Sequence, residues 1–238
     1  PPPVPQPPPI HKDAYAAVLG WISSARDGGA APLVIDGPSG VGKTHLWRSA
    51  AAAAGGGSQI ALYGKAGQAD ERPYGVVTQL LAAHPDEVAA ILSDGDWPAA
   101  VRAVVIAIAP SLASHLSALP TTDYGGLTDP AEDLTRLLSH LALRHCGRRR
   151  TALICIDDYQ WTDRYSRKVL HRLMERSVPV GVALLTRDRA PHRSDPAGDG
   201  LPVSPLVVPL RALTREETRE FVDVAIASEE LPSDEMLD

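Results

Sequence analysis

Gly37-Pro38-Ser39-Gly40-Val41-Gly42-Lys43-Thr44 carries the spacing G-x-x-x-x-G-K-T, the Walker A pattern. The apolar run Leu33-Val34-Ile35 precedes it, and a helix-compatible stretch, Thr44 to Ala54, follows it. Strand, glycine-rich loop and helix in that order form the context in which the pattern holds a polyphosphate. Successive backbone N–H groups turn inward to make an anion nest, and the helix N-terminus adds partial positive charge. Gly37, Gly40 and Gly42 let the backbone approach without a Cβ in the way. In this reading Pro38, Ser39 and Val41 complete the loop, Lys43 reaches the β- and γ-phosphates, and the Thr44 hydroxyl takes one Mg²⁺ position. The bland alternative is a glycine turn between a strand and a helix. Asp36, just before the first glycine, is expected to satisfy loop N–H groups.

A second motif argues against the bland alternative. Thr151-Ala152-Leu153-Ile154-Cys155-Ile156-Asp157-Asp158 is an apolar, β-rich run ending in two acids, the form of a Walker B strand. Its acids should fall at the carboxyl edge of a parallel sheet, where open α/β folds bind nucleotides. Asp157 is the candidate for Mg²⁺, directly or through water. Asp158 is the candidate for orienting or deprotonating an attacking water.

The rest of the chain supplies alternating elements. Asp13 to Ala25 suits a helix with Ala17, Val18, Trp21 and Ile22 on one face. Further helices are expected over Tyr74–Ala83, Glu87–Leu92, Ala99–Leu119, Ala131–His145 and from Asp163 to about Arg176, with Asp163 as N-cap and Val169, Leu170, Leu173 and Met174 buried. Strands are expected over Pro32–Ile35, Gln59–Tyr63, Val180–Leu185 and Leu206–Leu210, besides the Walker B run. Thr214-Arg215-Glu216-Glu217 reads as a capping box opening a last helix that turns Phe221, Val222 and Val224 inward. Alternation of strands and helices predicts a five-stranded, mainly parallel α/β sheet covered on both faces. The Walker B strand is third in the chain, so a further strand should lie between it and the loop strand. Arg187, after Leu184-Leu185-Thr186, then sits where a γ-phosphate sensor would sit; a solvated loop arginine is the alternative. Trp161 is expected to wedge the Walker B turn into the core, with packing near the nucleotide edge as the alternative.

Bulk properties narrow the partners. The chain has 238 residues and a formal net charge of −6, which argues against an all-over nucleic-acid surface. Arg148-Arg149-Arg150 is a compact basic run read as a solvated loop. Two cysteines, Cys146 and Cys155, make no disulfide framework and agree with a cytoplasmic setting. No apolar stretch is long enough to span a membrane. His140 and His145 lack the spacing of a zinc site. Residues 1–10 read as a proline-rich tail, 11–212 as a P-loop ATPase domain, and 213–238 as the start of a helical lid.

Asp157-Asp158-Tyr159-Gln160-Trp161-Thr162-Asp163 resembles the acid-acid-x-x-Trp-x-Asp signature of STAND-type ATPases, nearest to the ATPase module of large LuxR-type bacterial transcription regulators, a branch close to the AAA superfamily. Pro73-Tyr74-Gly75-Val76-Val77 with Leu80-Leu81, the Leu185-Thr186-Arg187 strand end, and Pro209-Leu210 through Leu213-Thr214 and Glu216-Glu217 resemble further pieces of that module. His11-Lys12-Asp13 stands where that family has Gly-Arg before an acid. The resemblance implies ATP or ADP with Mg²⁺ as ligands, slow turnover, an ADP-held closed form and an ATP-favoured open form prone to self-association. It implies no direct DNA contact by this segment. The choice of ATP over GTP comes from the resemblance alone. A P-loop kinase acting on a small hydroxylated substrate, and a nucleotide-binding interaction module without turnover, are the alternative functions.

Overall fold

The computed structural model describes residues 11–25, 31–55, 61–68, 72–94, 97–116, 129–146, 152–176, 178, 180–187 and 200–219. Five strands form its centre: β1 (Leu33–Asp36), β2 (Ala61–Lys65), β3 (Ala152–Asp157), β4 (Val180–Thr186) and β5 (Leu206–Pro209). Their order is β2-β3-β4-β1-β5, and every pairing is parallel. The expected intervening strand is therefore β4, seated between the Walker A strand β1 and the Walker B strand β3.

Helices cover both faces because the strands alternate in which side they bury. Leu33, Ile35, Leu153, Cys155, Ala183, Leu185 and Val208 face α1 (Lys12–Ala25) and α2 (Lys43–Gly55). Trp21 of α1 and Trp47 of α2 meet there at 6.2 Å between ring centroids. Val34, Leu62, Ile154, Ile156, Val182 and Leu184 face the larger core. That core is built from α3 (Gly75–Ala82), α4 (Pro85–Asp94), α5 (Ala99–Ile108), α6 (Ala113–Leu116), α7 (Pro130–Cys146) and α8 (Arg164–Glu175).

Three expectations need correction. The helix expected over Ala99–Leu119 breaks at Ala109, followed by a 3₁₀ turn at Pro110–Leu112 and the short α6. Proline has no N–H to continue the helix and clashes with the preceding turn. On α1 Ala17 is exposed, while Tyr15 joins Val18, Trp21 and Ile22 in the core. On α8 Met174 is only partly buried at the margin of the core. The capping box is present: the Thr214 N–H donates to Glu217 Oε2 at 2.8 Å and the Glu217 N–H to Thr214 Oγ1 at 3.2 Å, opening a helical turn over 215–219. The proline-rich start, the Arg148–Arg150 run, and Phe221, Val222 and Val224 lie outside the described residues.

Candidate functional site

The ends of the parallel strands meet along one edge of the sheet. Asp36 closes β1, Asp157 closes β3 and Thr186 closes β4. The register sets Asp36 beside Thr186 and Pro209, and Lys65 beside Asp157. The glycine-rich loop leaves β1 at this edge and runs into α2. At Gly37 a Cβ would stand 2.4 Å from the Leu210 carbonyl oxygen, so the loop passes the exit of β5 only because no side chain is there. Gly42 holds φ +97°, a left-handed conformation that glycine takes without strain. Pro38, Ser39, Gly40 and Gly42 are exposed, so the loop opens to solvent; Val41 and Thr44 are half-buried.

Lys43 turns back into this loop. Its Nζ donates to the Gly37 carbonyl at 2.6 Å and the Pro38 carbonyl at 2.7 Å. Burial, with the nearby Arg187 guanidinium, holds the ammonium pKa below its usual value, against the pull of Asp158, Asp157 and Asp36. Two loop carbonyls thus hold the ammonium within the loop. Asp36 does not play the part expected of it at one oxygen: its Oδ1 is buried and has no hydrogen-bond partner among the described residues.

The two motifs converge across the sheet. The Thr44 hydroxyl on α2 donates to Asp157 Oδ2 at 2.8 Å, although 113 positions separate the residues. A hydroxyl and a carboxylate oxygen side by side are hard donors of the kind Mg²⁺ takes, and a Mg²⁺ ion that keeps phosphate and water ligands needs few protein ligands. The residues present therefore fit magnesium. Tyr63 of β2 also donates to Asp157 Oδ2, at 2.6 Å, and the Asp158 N–H donates to Oδ1 at 2.9 Å. Burial first, then the bond to Asp157, pushes the Tyr63 phenol pKa up, so the phenol keeps its proton and acts as the donor.

Asp158 lies just beyond β3 at φ 54°, a left-handed backbone that aspartate tolerates better than most residues. Its side chain is buried and faces positive charge. Arg187 Nε donates to Oδ1 at 2.9 Å and Nη2 to Oδ2 at 3.3 Å, and Lys65 Nζ stands 3.9 Å from Oδ2. Gln160 ties the group together: its Nε2 donates to Asp158 Oδ1, and its Oε1 accepts from Thr186 Oγ1 and the Arg187 N–H, each at 3.2 Å. Sequence order placed Arg187 near the site, but its pairing with Asp158 was not foreseen. Nor were Tyr63, Lys65 and Gln160. The available signal was the period of two along β2, which puts Tyr63 and Lys65 on one side of a strand neighbouring the acids.

Trp161 does not wedge the turn into the core: it is 40% exposed, and Tyr159 is the buried residue of the 3₁₀ turn Tyr159–Trp161. Asp163 caps α8, accepting from the N–H groups of Tyr165 and Ser166. It also accepts from the N–H groups of Tyr74 and Gly75 at the start of α3. Cys155 is fully buried, and burial drives its thiol pKa well above the ordinary value, so it is an inert core residue.

A phosphate-type loop, a lysine within it and a hydroxyl–carboxylate pair now stand at one sheet edge. The model of the AAA ATPase domain family matches residues 12–185, more than half of the chain. The chain belongs to that family. No curated protein matches it. Among solved structures, this AAA ATPase domain is similar to the ORC1 protein of Aeropyrum pernix in complex with DNA, at 14% identity and TM-score 0.51, over 92% of this chain and 50% of that one. It is also similar to Drosophila ORC bound to DNA, at 16% identity and TM-score 0.49, over 92% and 47%. A Walker-type ATPase of Pyrococcus abyssi matches at 13% identity and TM-score 0.45, over 93% and 59%. The domain thus spans about half the length of the chains it resembles, and at these identities the likeness concerns the fold. No described helix is long and apolar enough to cross a membrane.

Proposed function

We propose that this AAA ATPase domain is a nucleotide switch that binds ATP with Mg²⁺, hydrolyses it slowly, and serves a signal-responsive regulator of the STAND type. The observation that carries the reading is the 2.8 Å contact between Thr44 and Asp157, beside a buried Lys43 that bonds to its own loop. In this reading residues 37–44 hold the phosphates, Thr44 and Asp157 hold Mg²⁺, Asp158 orients the attacking water and Arg187 senses the γ-phosphate. Bound Mg²⁺ supplies charge neutralisation at the phosphates.

The chain's own contacts support slow turnover and a difference between the two nucleotides in this reading. A triphosphate offers anionic oxygens in place of the Gly37 and Pro38 carbonyls, and charge-assisted partners are the stronger ones. Arg187 is engaged with Asp158. A γ-phosphate competes for that guanidinium and frees the acid; ADP has no group with which to compete. Two nucleotides with different contacts to one bistable pair is the requirement for a switch. The STAND-like residues Asp157, Asp158, Trp161 and Asp163 support the regulatory setting, and self-association in the ATP state belongs to the same reading. The held Asp158 also favours a second reading, a module that binds nucleotide and does not turn it over.

Calorimetric titration with MgATP tests the binding claim. Lys43→Ala should weaken affinity by about 10–100-fold, the worth of a lost charge-assisted contact; unchanged affinity would reject the loop assignment. Asp158→Asn should bind within a few-fold of the parent and release phosphate about 10²-fold or more slowly, the scale of a lost general base. A parent domain that releases no phosphate even when concentrated would select the second reading.

A further inference from the structure

Asp157 is held by more than the Walker geometry requires. Its Oδ2 accepts two hydroxyls, from Thr44 at 2.8 Å and from Tyr63 at 2.6 Å, and its Oδ1 accepts the Asp158 N–H at 2.9 Å. A carboxylate oxygen offers about two lone-pair sites. Two O–H donors thus reach Oδ2 from different elements, α2 and β2, while Asp157 itself belongs to β3, and Oδ1 keeps one lone-pair site for a metal or its water. With both oxygens engaged, the carboxylate has no freedom to swing about its Cβ–Cγ bond without breaking a hydrogen bond to a charged acceptor.

The phenol is as firmly placed as the carboxylate. Tyr63 is in register with Cys155, two residues before Lys65 pairs with Asp157, so its side chain leaves β2 on the face that α2 covers. Its ring packs at the margin of the Trp21/Trp47 core, with the Arg48 guanidinium of α2 at 5.2 Å from the ring centroid. One tyrosine thus links the helix that carries Thr44 to the strand beside the acid.

We propose that Tyr63 is the positioning residue of the metal-side carboxylate, and that its phenol sets how strongly Mg²⁺ enhances nucleotide binding. The inference rests on the magnesium–nucleotide reading of the site. Without the phenol, Asp157 Oδ2 keeps only Thr44, the carboxylate gains a rotational degree of freedom, and its arrangement against Thr44 is no longer fixed. Groups that orient metal-binding residues typically contribute 10–100-fold to metal affinity.

The experiment is a comparison of ATP affinity in excess MgCl₂ and in EDTA, by titration calorimetry, for the parent and Tyr63→Phe. Phenylalanine keeps the ring against Arg48 and the core and removes only the hydroxyl, and a melting curve of each protein checks that the fold is retained. The expected result is an EDTA affinity within about 2-fold of the parent and a Mg²⁺ enhancement reduced by about 10-fold, at the lower end of that range. Titrating Mn²⁺ into the ATP-loaded proteins, followed by electron paramagnetic resonance, should show weaker metal binding in Tyr63→Phe. Equal loss of affinity with and without Mg²⁺ would show that Tyr63 serves packing alone and would overturn the proposal. So would full retention of the enhancement in Tyr63→Phe. If the parent itself shows nucleotide binding with no Mg²⁺ enhancement, the magnesium reading fails and this inference with it, a result distinct from a failure confined to the variant.

Discussion

Asp158 combines a strained backbone with a neutralised side chain. Its φ of 54° costs a non-glycine residue about 1–3 kcal/mol, least for Asp and Asn, whose side chains tolerate this region. Arg187 and Lys65 stand over its carboxylate. The Asp158→Asn variant therefore keeps the turn and removes the charge, and it is the cleaner probe of chemistry; a β-branched residue such as Asp158→Val would add strain and lower stability in a urea titration. At Arg187 the proposed switch makes its sharpest demand. Arg187→Ala should erase most of the difference between ATP and ADP affinity, because only the γ-phosphate can draw the guanidinium from Asp158, and separate calorimetric titrations with the two nucleotides read it directly. A difference as large as the parent's would remove Arg187 from the sensor role. Residue types and spacing named the loop, Thr44, Asp157, Asp158 and Arg187 as candidates, and the fold brings them to one sheet edge. They could not show that Arg187 rests on Asp158, or that Gln160 bridges them, because those contacts depend on how far β4 and the 3₁₀ turn rotate their side chains. Trp161 misled for the same reason: hydrophobicity argued for burial, but the left-handed turn at Asp158 sends Tyr159 inward and leaves Trp161 out.

Helix ends tie separate elements together. Asp163 accepts four N–H groups from two helices, Tyr165 and Ser166 of α8 and Tyr74 and Gly75 at the start of α3. One cap contributes about 1 kcal/mol, and hydrogen bonds to a charged group somewhat more, so Asp163→Ala should cost about 2–3 kcal/mol in urea unfolding. Asp163→Asn should recover part of that loss, since its oxygen still caps α8. A cost below about 1 kcal/mol would mean that the link to α3 contributes nothing beyond an ordinary cap. The capping role was legible from an aspartate before a periodic stretch; the clasp on α3 was not, because it joins positions 88 and 89 residues apart. A second cap gives a pH signature. Arg211 first, then the Thr214 N–H, holds the Glu217 carboxyl at about 2, below its ordinary 4.5. A depressed carboxyl contributes stability that is present above its ordinary value and lost as pH falls from there through the folded value. The helical turn over 215–219 should thus persist from neutral pH to below 4.5 and loosen toward 2. NMR titration of Glu217 should show a midpoint near 2 that moves toward 4.5 in Arg211→Gln.

Over the whole molecule, the site joins distant parts of the chain around the central strands. β1 lies between β4 and β5, and Leu210, just past β5, donates its N–H to the Asp36 carbonyl at 2.6 Å while its own carbonyl crowds Gly37. The loop's floor is therefore complete only when the last strand has docked. The intervening strand between the Walker strands could be inferred from their order, and two-faced burial from the alternation of elements; the place of β5 beside β1 could not, because nothing in a four-residue strand names its neighbour. This arrangement predicts that nucleotide stabilises the fold as one unit rather than only ordering a loop. A ligand that binds only the native state adds RT ln(1 + [L]/Kd), about 2.7 kcal/mol at a hundred times Kd. For a domain of this size each kcal/mol moves the melting point by about 2–4 °C, so saturating MgATP should raise it by roughly 5–10 °C in a single transition. Lys43→Ala, measured at the same nucleotide concentration and weakened as expected above, should show about half to a sixth of that shift. Equal shifts in the two proteins would place the nucleotide elsewhere. A shift confined to one of two separated transitions would mean that the loop and the sheet around it do not melt together, so that docking of β5 is not what completes the cradle.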